Sequence, residues 1–525
     1  MKSVQICFIA LVVTVVLALV VPVAADAQPI PPGPPTVLPD YIGAPAKAHP
    51  TANPAVPKNP FMAPHPFPWS HSDSWNSDTA NIAGPLGRNP EVLSSTLADA
   101  HQYPDWILSC ENVAFDSHGR PIVSCAGLRE ASVIMLDPDT LEVLTYYPLT
   151  IREGLAGEGE QKIPLSMWSI YAYVDNRDQI NLVSGNNRIH VLREAGSPSS
   201  PVFEQVEEYD LSQLVDGINQ RITGLIVDFQ GRYWLNMGTS ANIYVLNPAT
   251  AKYPYLDLPR VNLSDGEVTR NGMALTKEGA YVVTTKKMYR VDAGADDRPH
   301  VVWSVPYDTI GVVRPGQYEL GSGTSPTVLG EGKYVAITDN AEQMNVVVYR
   351  TEAGLSPDQQ VVCKVPVFDF PGGGKGANSN SLIGSHNSII VQNASDYLFD
   401  WNTLTLVTPS APGFERIDID PNGKGCTKVW VNRDVATNVC PKLSTRTGLI
   451  YTQERRYDAE KDLYAVYWVA LDFRTGKVVW EKLVGTFERL GPARFDNFWA
   501  GVGIGPNGAM YGGQYGGVTM IRDGK

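Results

Sequence analysis

The stretch HPFPWSHSDSWNSD, residues 65–78, gathers two histidines, two tryptophans and two aspartates. In an extended chain the spacing His71-x-Asp73 places an imidazole and a carboxylate on one side of the strand. These are metal-ligand types, and Asp78 stands close by as a further carboxylate. Two ligands do not complete a metal site. The same residues equally make a polar lid tied by hydrogen bonds. Trp69 and Trp75 would then cover one end of a scaffold while their indole N–H groups find acceptors.

A second set of reactive side chains is scattered along the chain. Glu111 and Asn112, Arg270 and Asn271, Thr324 and Ser325, Asn378 and Asn380, Lys442, and Asp496 and Asn497 each stand at the start of a short β-rich run. They can act together only if the fold brings those starts to one place. If it does, amide and carboxylate oxygens suit Ca²⁺, which takes six to eight oxygen ligands, and the arginine and the lysine suit an anionic ligand. Groups so placed also serve by satisfying backbone or lining a wet channel. Two lookalikes carry no chemistry. PGGGKGANSNS, 371–381, lacks the spacing of a phosphate-binding loop, and GSHNS, 384–388, lacks the nucleophile elbow and reads as a turn.

The elements that must position these residues repeat. The unit at 111–149 contains four β-rich runs separated by DSHGR, a polar loop and LDPDT. The unit at 221–259 repeats the pattern with DFQGR and LNPAT, and further units start near Met167, Asn271, Thr324, Asn380, Lys442 and Phe498. A recurring four-strand unit of roughly 40–50 residues selects a β-propeller, in which radial packing covers the faces of blades too small to stand alone. Runs such as GLIVD and YVVTT read as continuous apolar stretches rather than clean alternation, as strands covered on both faces do. The expected fold is therefore all-β: a single propeller of four-stranded antiparallel blades, eight by count of inner strands. Seven remain possible because the unit at 377–430 is irregular and holds an apparent insertion. The last unit has three strands, so its fourth must come from the segment before residue 110 and close the ring.

The remaining features set the context. A lysine, the apolar run 6–21 and the AADA at 24–27 form a targeting segment with a cleavage site, giving 1–27 as signal peptide. Residues 28–100 read as a Pro-rich extended arm and lid, and 101–525 as the propeller. Export to the periplasm, the cell envelope or the exterior favours disulfides. Local spacing pairs Cys110 with Cys125 and Cys426 with Cys440, leaving Cys363 buried and single. A net charge of -13 argues against nucleic acid as partner, and no later stretch is long and apolar enough to span a bilayer.

LDFRTGKVVWEKL, 471–483, resembles the tryptophan turn of PQQ-dependent quinoprotein blades, and RNGMALTKEG, 270–279, resembles the Asn-Gly inner strand of SMP-30/NHL-like propellers. A wider resemblance is to a group of exported bacterial propeller proteins. It rests on NPFMAP (59–64), the His-x-Asp of 71–73, GPLGRNPE (84–91), GSGTSPT (321–327), VAITDN (335–340), NSLIG (380–384) and ALDFRTG (470–476). This likeness implies a β-propeller and leaves the reaction open, so binding of a small molecule or metal at the channel mouth is the primary expectation. The quinoprotein likeness implies a Ca²⁺- and PQQ-dependent dehydrogenase. In that case Arg270, Lys442 or Arg494 would meet the quinone carboxylates, and Asn380, Asn497 and Trp75 would complete the cofactor site. Against it stand the absence of adjacent cysteines, of a repeated tryptophan turn and of CxxCH. The SMP-30 likeness implies a lactone or ester hydrolase with Glu111 and Asn271, beside Asn112, on a divalent metal and Asp339 or Asp496 as base.

Overall fold

The computed structural model describes residues 30–69, 71–96, 109–126, 131–149, 155–156, 163–164, 171–198, 200–214 and 221–524. The expected signal peptide, 1–27, lies outside them. Seven four-stranded sheets and one six-stranded sheet, all built on antiparallel meanders, make eight blades. Their first strands lie next to one another around a central channel. The sole α-helix among the described residues is Pro357–Gln360. No helix of the described residues is long and apolar enough to cross a membrane.

Blade 1 runs from Ser109–Phe115 to Val143–Leu149, blade 2 from Ala172–Val174 to Ser200–Asp210, blade 3 from Ile222–Val227 to Arg260–Asn262 and blade 4 from Ala274–Leu275 to Pro299–Pro306. Blade 5 runs from Thr327–Leu329 to Val361–Pro366, blade 6 from Ile383–Ser385 to Cys426–Asn432, and blade 7 from Lys442–Ser444 to Val478–Glu488. Blade 8 holds Val502–Ile504, Met510–Gln514 and Gly517–Arg522, and its outer strand is Glu91–Thr96 from the front of the chain, paired Glu91 to Arg522 through Thr96 to Gly517. The ring thus closes as the three-strand final unit requires. The irregular unit is blade 6, where the hairpin Leu398–Asp400 and Thr405–Thr408 is inserted between the second and third strands.

The repeated sequence words are turns. In DSHGR, Asp116 accepts the backbone N–H of His118 and Arg120 and the Arg120 guanidinium, and Gly119 takes the left-handed conformation at φ 81°. DFQGR repeats this with Asp228, Arg232 and Gly231, and adds the Trp234 indole N–H on the same carboxylate at 2.9 Å. LDPDT and LDFRT close the outer hairpins by the same device, with Asp137 and Asp472 each accepting two backbone N–H groups. Between these turns the strands are buried on both faces. Separate apolar clusters join blade 1 to 2, 2 to 3 and so on to 8 and back to 1.

The disulfides correct one expectation. Cys110–Cys125 forms within blade 1, but Cys363 pairs with Cys426 and Cys440 is the free thiol. Cys363 and Cys426 sit on the outer strands of blades 5 and 6, which neighbour each other only in the ring. Cys440 precedes the inner strand of blade 7 and is buried. Removing the bridge with Cys363→Ser and Cys426→Ser frees a loop of 63 residues in the unfolded chain. The expected loss is about 2–4 kcal/mol of stability, read as a lower denaturant midpoint at unchanged slope.

Candidate functional site

The arm winds along the ring and then through it. Tyr41–Gly43 pairs with the outer strand of blade 7, and Asn59 donates to the Val227 carbonyl in blade 3 at 2.9 Å. The chain turns back at 64–67 and enters the channel. There the carbonyls of Phe67, Pro68, Ser74, Trp75, Ser77 and Asp78 accept backbone N–H groups from Phe115, Val174, Leu275, Val328, Gly384 and Leu443. These donors belong to the inner strands of blades 1, 2, 4, 5, 6 and 7. Thr79–Ala80 then adds in parallel to the inner strand of blade 7. The arm therefore closes the channel at the end where the inner strands finish.

Within this plug His71 and Asp73 are not ligands of one ion. Ser72 takes a left-handed backbone, φ 73°, which breaks the alternation of an extended chain and sends the two side chains apart. Asp73 accepts from His65 at 3.0 Å, Ser77 Oγ at 2.5 Å and the Trp75 N–H at 2.9 Å. His71 faces Asp78 at 3.2 Å and Ser381 Oγ at 2.8 Å. Lys442 is drawn into the same cluster, with Nζ 2.7 Å from Asp78 and 2.9 Å from Ser72 Oγ. Burial raises the Asp78 pKa, but Lys442 and His71 beside it outweigh burial and hold the carboxyl below its ordinary value. Trp75 packs between blades 4 and 5, and Trp69 packs on the Tyr171 ring at 5.2 Å. Contrary to the expectation for a lid, neither indole N–H meets an acceptor among the described residues, because both rings are seated in apolar or aromatic surroundings.

The other end, where the inner strands begin, holds a different set. Glu111 lies in the first strand of blade 1 beside the bulge between Cys110 and Val113. Gly513 of blade 8 packs directly on this strand; a Cβ there would lie 2.1 Å from the Cys110 carbonyl oxygen. The Glu111 side chain is 6% exposed. Burial pushes its carboxyl up to about 8, and among the described residues no hydrogen bond or ion pair offsets it. Asn112, next in the strand, is half-buried. Tyr171 and Tyr318 both feel the Glu111 and Glu319 carboxyls, and burial pushes the Tyr171 hydroxyl up to about 12. The Gly272 N–H donates to both Tyr171 and Ser325 hydroxyls at 3.1 Å, so Tyr171 stands between Glu111 and the strand after Asn271. Tyr318 and Tyr397 meet Trp499 edge-on at 5.5 and 5.0 Å.

Other nominated residues are committed elsewhere. Asp339 forms the turn after the second strand of blade 5, accepting the Asn345 backbone at 2.7 Å and its amide at 2.8 Å. Asp496 is ion-paired to Arg455 through both oxygens, at 2.5 and 2.6 Å, so neither carboxylate is disposed as a base for water. Asn380 donates to the Asn438 carbonyl and Asn497 to that of Gly513. Arg270 donates to the carbonyls of Gly238 and Tyr318 at 3.1 and 2.9 Å, and Arg494 is half-buried. With Lys442 held by Asp78 and Arg270 by backbone, this cation set does not fit the carboxylates of PQQ, and Trp75 sits between two blades in the plug rather than at the mouth.

Of the inner-strand starts, Glu111 and the segment of Arg270 and Asn271 border one mouth, where Asn271 donates to the Ser322 carbonyl at 3.1 Å. Tyr171, Tyr318 and Glu319 were missed, as were Ser381 and Cys440. The two tyrosines precede blade starts with no motif to mark them, and the only available signal was the polar QYE preceding GSGTSPT.

No protein-family model matches the chain. An uncharacterized protein of Archaeoglobus fulgidus is 26% identical over 362 residues, 64% of this chain and 66% of that protein, so the match spans just under two thirds of the relative. Among solved structures, BamB from Moraxella catarrhalis is similar at 10% identity over 78% of this chain and 90% of its own, with TM-score 0.39. The periplasmic gluconolactonase PpgL of Pseudomonas aeruginosa is similar at 11% identity over 74% and 97%, with TM-score 0.35. A streptogramin B lyase is similar at 10% identity over 79% and 93%, with TM-score 0.37. The assignment of eight blades stands on the strand pairing of this chain itself.

Proposed function

We infer that the chain is an exported propeller that binds a small organic cation at the end of its channel opposite the arm. The observation that carries this reading is the Glu111 carboxyl, buried and without a hydrogen-bond partner among the described residues, beside Tyr171 and Tyr318 and close enough to Glu319 for both carboxyls to act on the same tyrosines. A carboxyl kept neutral by burial becomes the natural counter-ion when a cation enters, and aromatic faces add cation–π attraction. Trp499 extends the aromatic wall. Among the described residues the arm closes the opposite end of the channel. The leader-like N-terminus and the two disulfides support export.

Titration calorimetry on the full chain at neutral pH tests this, using choline and spermidine against neutral and anionic compounds of similar size. Cations should bind with release of up to one proton per site, seen as buffer-dependent heat. Glu111→Gln should weaken binding by about 10–100-fold, the loss of a charge-assisted contact worth about 1.5–3 kcal/mol. Preference for anions, or cation binding indifferent to Glu111→Gln, would overturn the reading.

A further inference from the structure

The plug holds a second chemical centre that the channel-mouth reading does not use. His71 Nδ1, Asp78 Oδ2 and Cys440 Sγ converge, all three residues being buried. The separations are 3.2 Å from nitrogen to oxygen, 3.3 Å from sulfur to oxygen and 3.8 Å from sulfur to nitrogen. Four-coordinate zinc with bonds of about 2.0–2.3 Å sets such ligand–ligand edges near 3.4–3.6 Å. The triangle of donors is therefore within a few tenths of an ångström of the size a tetrahedral ion requires.

A second observation concerns what the three groups do without a metal. His71 Nδ1, the Ser381 hydroxyl and the Cys440 thiol all face the same oxygen, Asp78 Oδ2. One carboxylate oxygen offers about two lone pairs, so with the ring proton on Nδ1 three donors compete for it. The other oxygen, Oδ1, is held by Lys442 at 2.7 Å. That is the outer hydrogen bond expected of a ligating carboxylate, which aims its free oxygen at the ion. The ligands also come from three places in the chain: the entry of the arm, its exit, and the approach to blade 7. The Asp78 N–H donates to the His71 carbonyl at 3.3 Å, so the arm's own loop brings those two together, and Cys440 joins them only through the closed ring.

We propose that His71, Asp78 and Cys440 bind one zinc ion, with the Ser381 hydroxyl closing the fourth side, and that the ion pins the arm inside the channel. Ser381 Oγ stands 2.8 Å from His71 Nδ1 and 3.7 Å from Cys440 Sγ. Thiolate and imidazole select a borderline-soft ion over Ca²⁺ or Mg²⁺. On binding, the Cys440 thiol gives its proton to solvent and a Zn–S bond forms. The His71 ring proton moves from Nδ1 to Nε2, leaving the Nδ1 lone pair for the ion. No electrons are transferred. The surface group Asp116, His118, Asp178 and Glu194 is not a competing site, because the Arg120 guanidinium already occupies it through Asp116 and Glu194.

The full chain, stripped with chelator and reloaded with Zn²⁺, should retain one ion after gel filtration by elemental analysis. His71→Gln and Cys440→Ser should each weaken zinc about 100-fold or more, while His118→Ala leaves it unchanged. Co²⁺ loaded into the unaltered protein should show thiolate-to-metal charge-transfer absorption, a readout that survives if either variant fails to fold. Failure to retain zinc, a cobalt spectrum without thiolate character, or zinc that persists in both folded variants would each overturn the proposal.

Discussion

Truncating Asp496 to alanine should cost about 3–5 kcal/mol of stability, the penalty for leaving a buried charge without its partner. Asp496 and Arg455 meet bidentately, with side chains 0% and 3% exposed. Around them Tyr397 donates to Asp496 at 3.1 Å, the Phe498 N–H donates at 2.8 Å, and the guanidinium lies over the Tyr397 ring at 5.2 Å. Blade 7's long second strand supplies the arginine and the loop into blade 8 supplies the aspartate, so the pair fastens that loop near the channel mouth. The informative experiment is a cycle in denaturant. Asp496→Ala alone should fall steeply. Arg455→Met combined with Asp496→Leu should recover much of the loss, because two apolar groups leave no charge stranded. If the single variant unfolds at the same midpoint as the parent, the pair is not buried as described.

Glu111 makes the second large effect, and its sign runs opposite to that of most carboxylates. Its folded pKa lies near 8 against an ordinary 4.5, raised by burial. Between those values the folded protein holds a proton that the unfolded chain releases. The stabilisation is therefore complete below about pH 4.5 and is lost as pH rises through 8. The displacement sets an upper bound of about 5 kcal/mol on the loss. Glu454, raised to about 7 by burial, acts in the same direction, so Glu111→Gln should remove only part of the slope. Urea midpoints at pH 5.5 and 8.5 measure it. The parent should weaken over this interval and Glu111→Gln should weaken less, gaining about 2–4 kcal/mol relative to the parent at the higher pH. Parallel slopes in the two proteins would show that Glu111 does not stay protonated when folded. A cationic ligand at the mouth should reduce the same slope in the parent, by stabilising the ionised carboxylate.

The arm shows why the site was only partly legible. Its residue types marked 65–78 as chemical, and the arm does cross the channel. The pairing within it turned on one backbone torsion, at Ser72, which no spacing rule anticipates. In the same way, the mouth residues on inner strands were readable from the repeat, as Glu111 and Asn271 were. Tyr171 and Tyr318 come from links between blades, where the sequence has no period to read.

What the sequence determined alone is the all-β ring. Its instructions are local: an aspartate followed three residues later by a glycine folds the hairpin in both DSHGR and DFQGR, and apolar runs between such turns demand cover on both sides. The same locality exposed the missing fourth strand of the final unit. The exchange of Cys440 for Cys363 as disulfide partner and the meeting of His71 with Asp78 and Cys440 were decided by tertiary structure. Each depends on which outer strands or channel walls become neighbours once eight blades close. That adjacency is a property of the completed circle, and distances along the chain do not encode it.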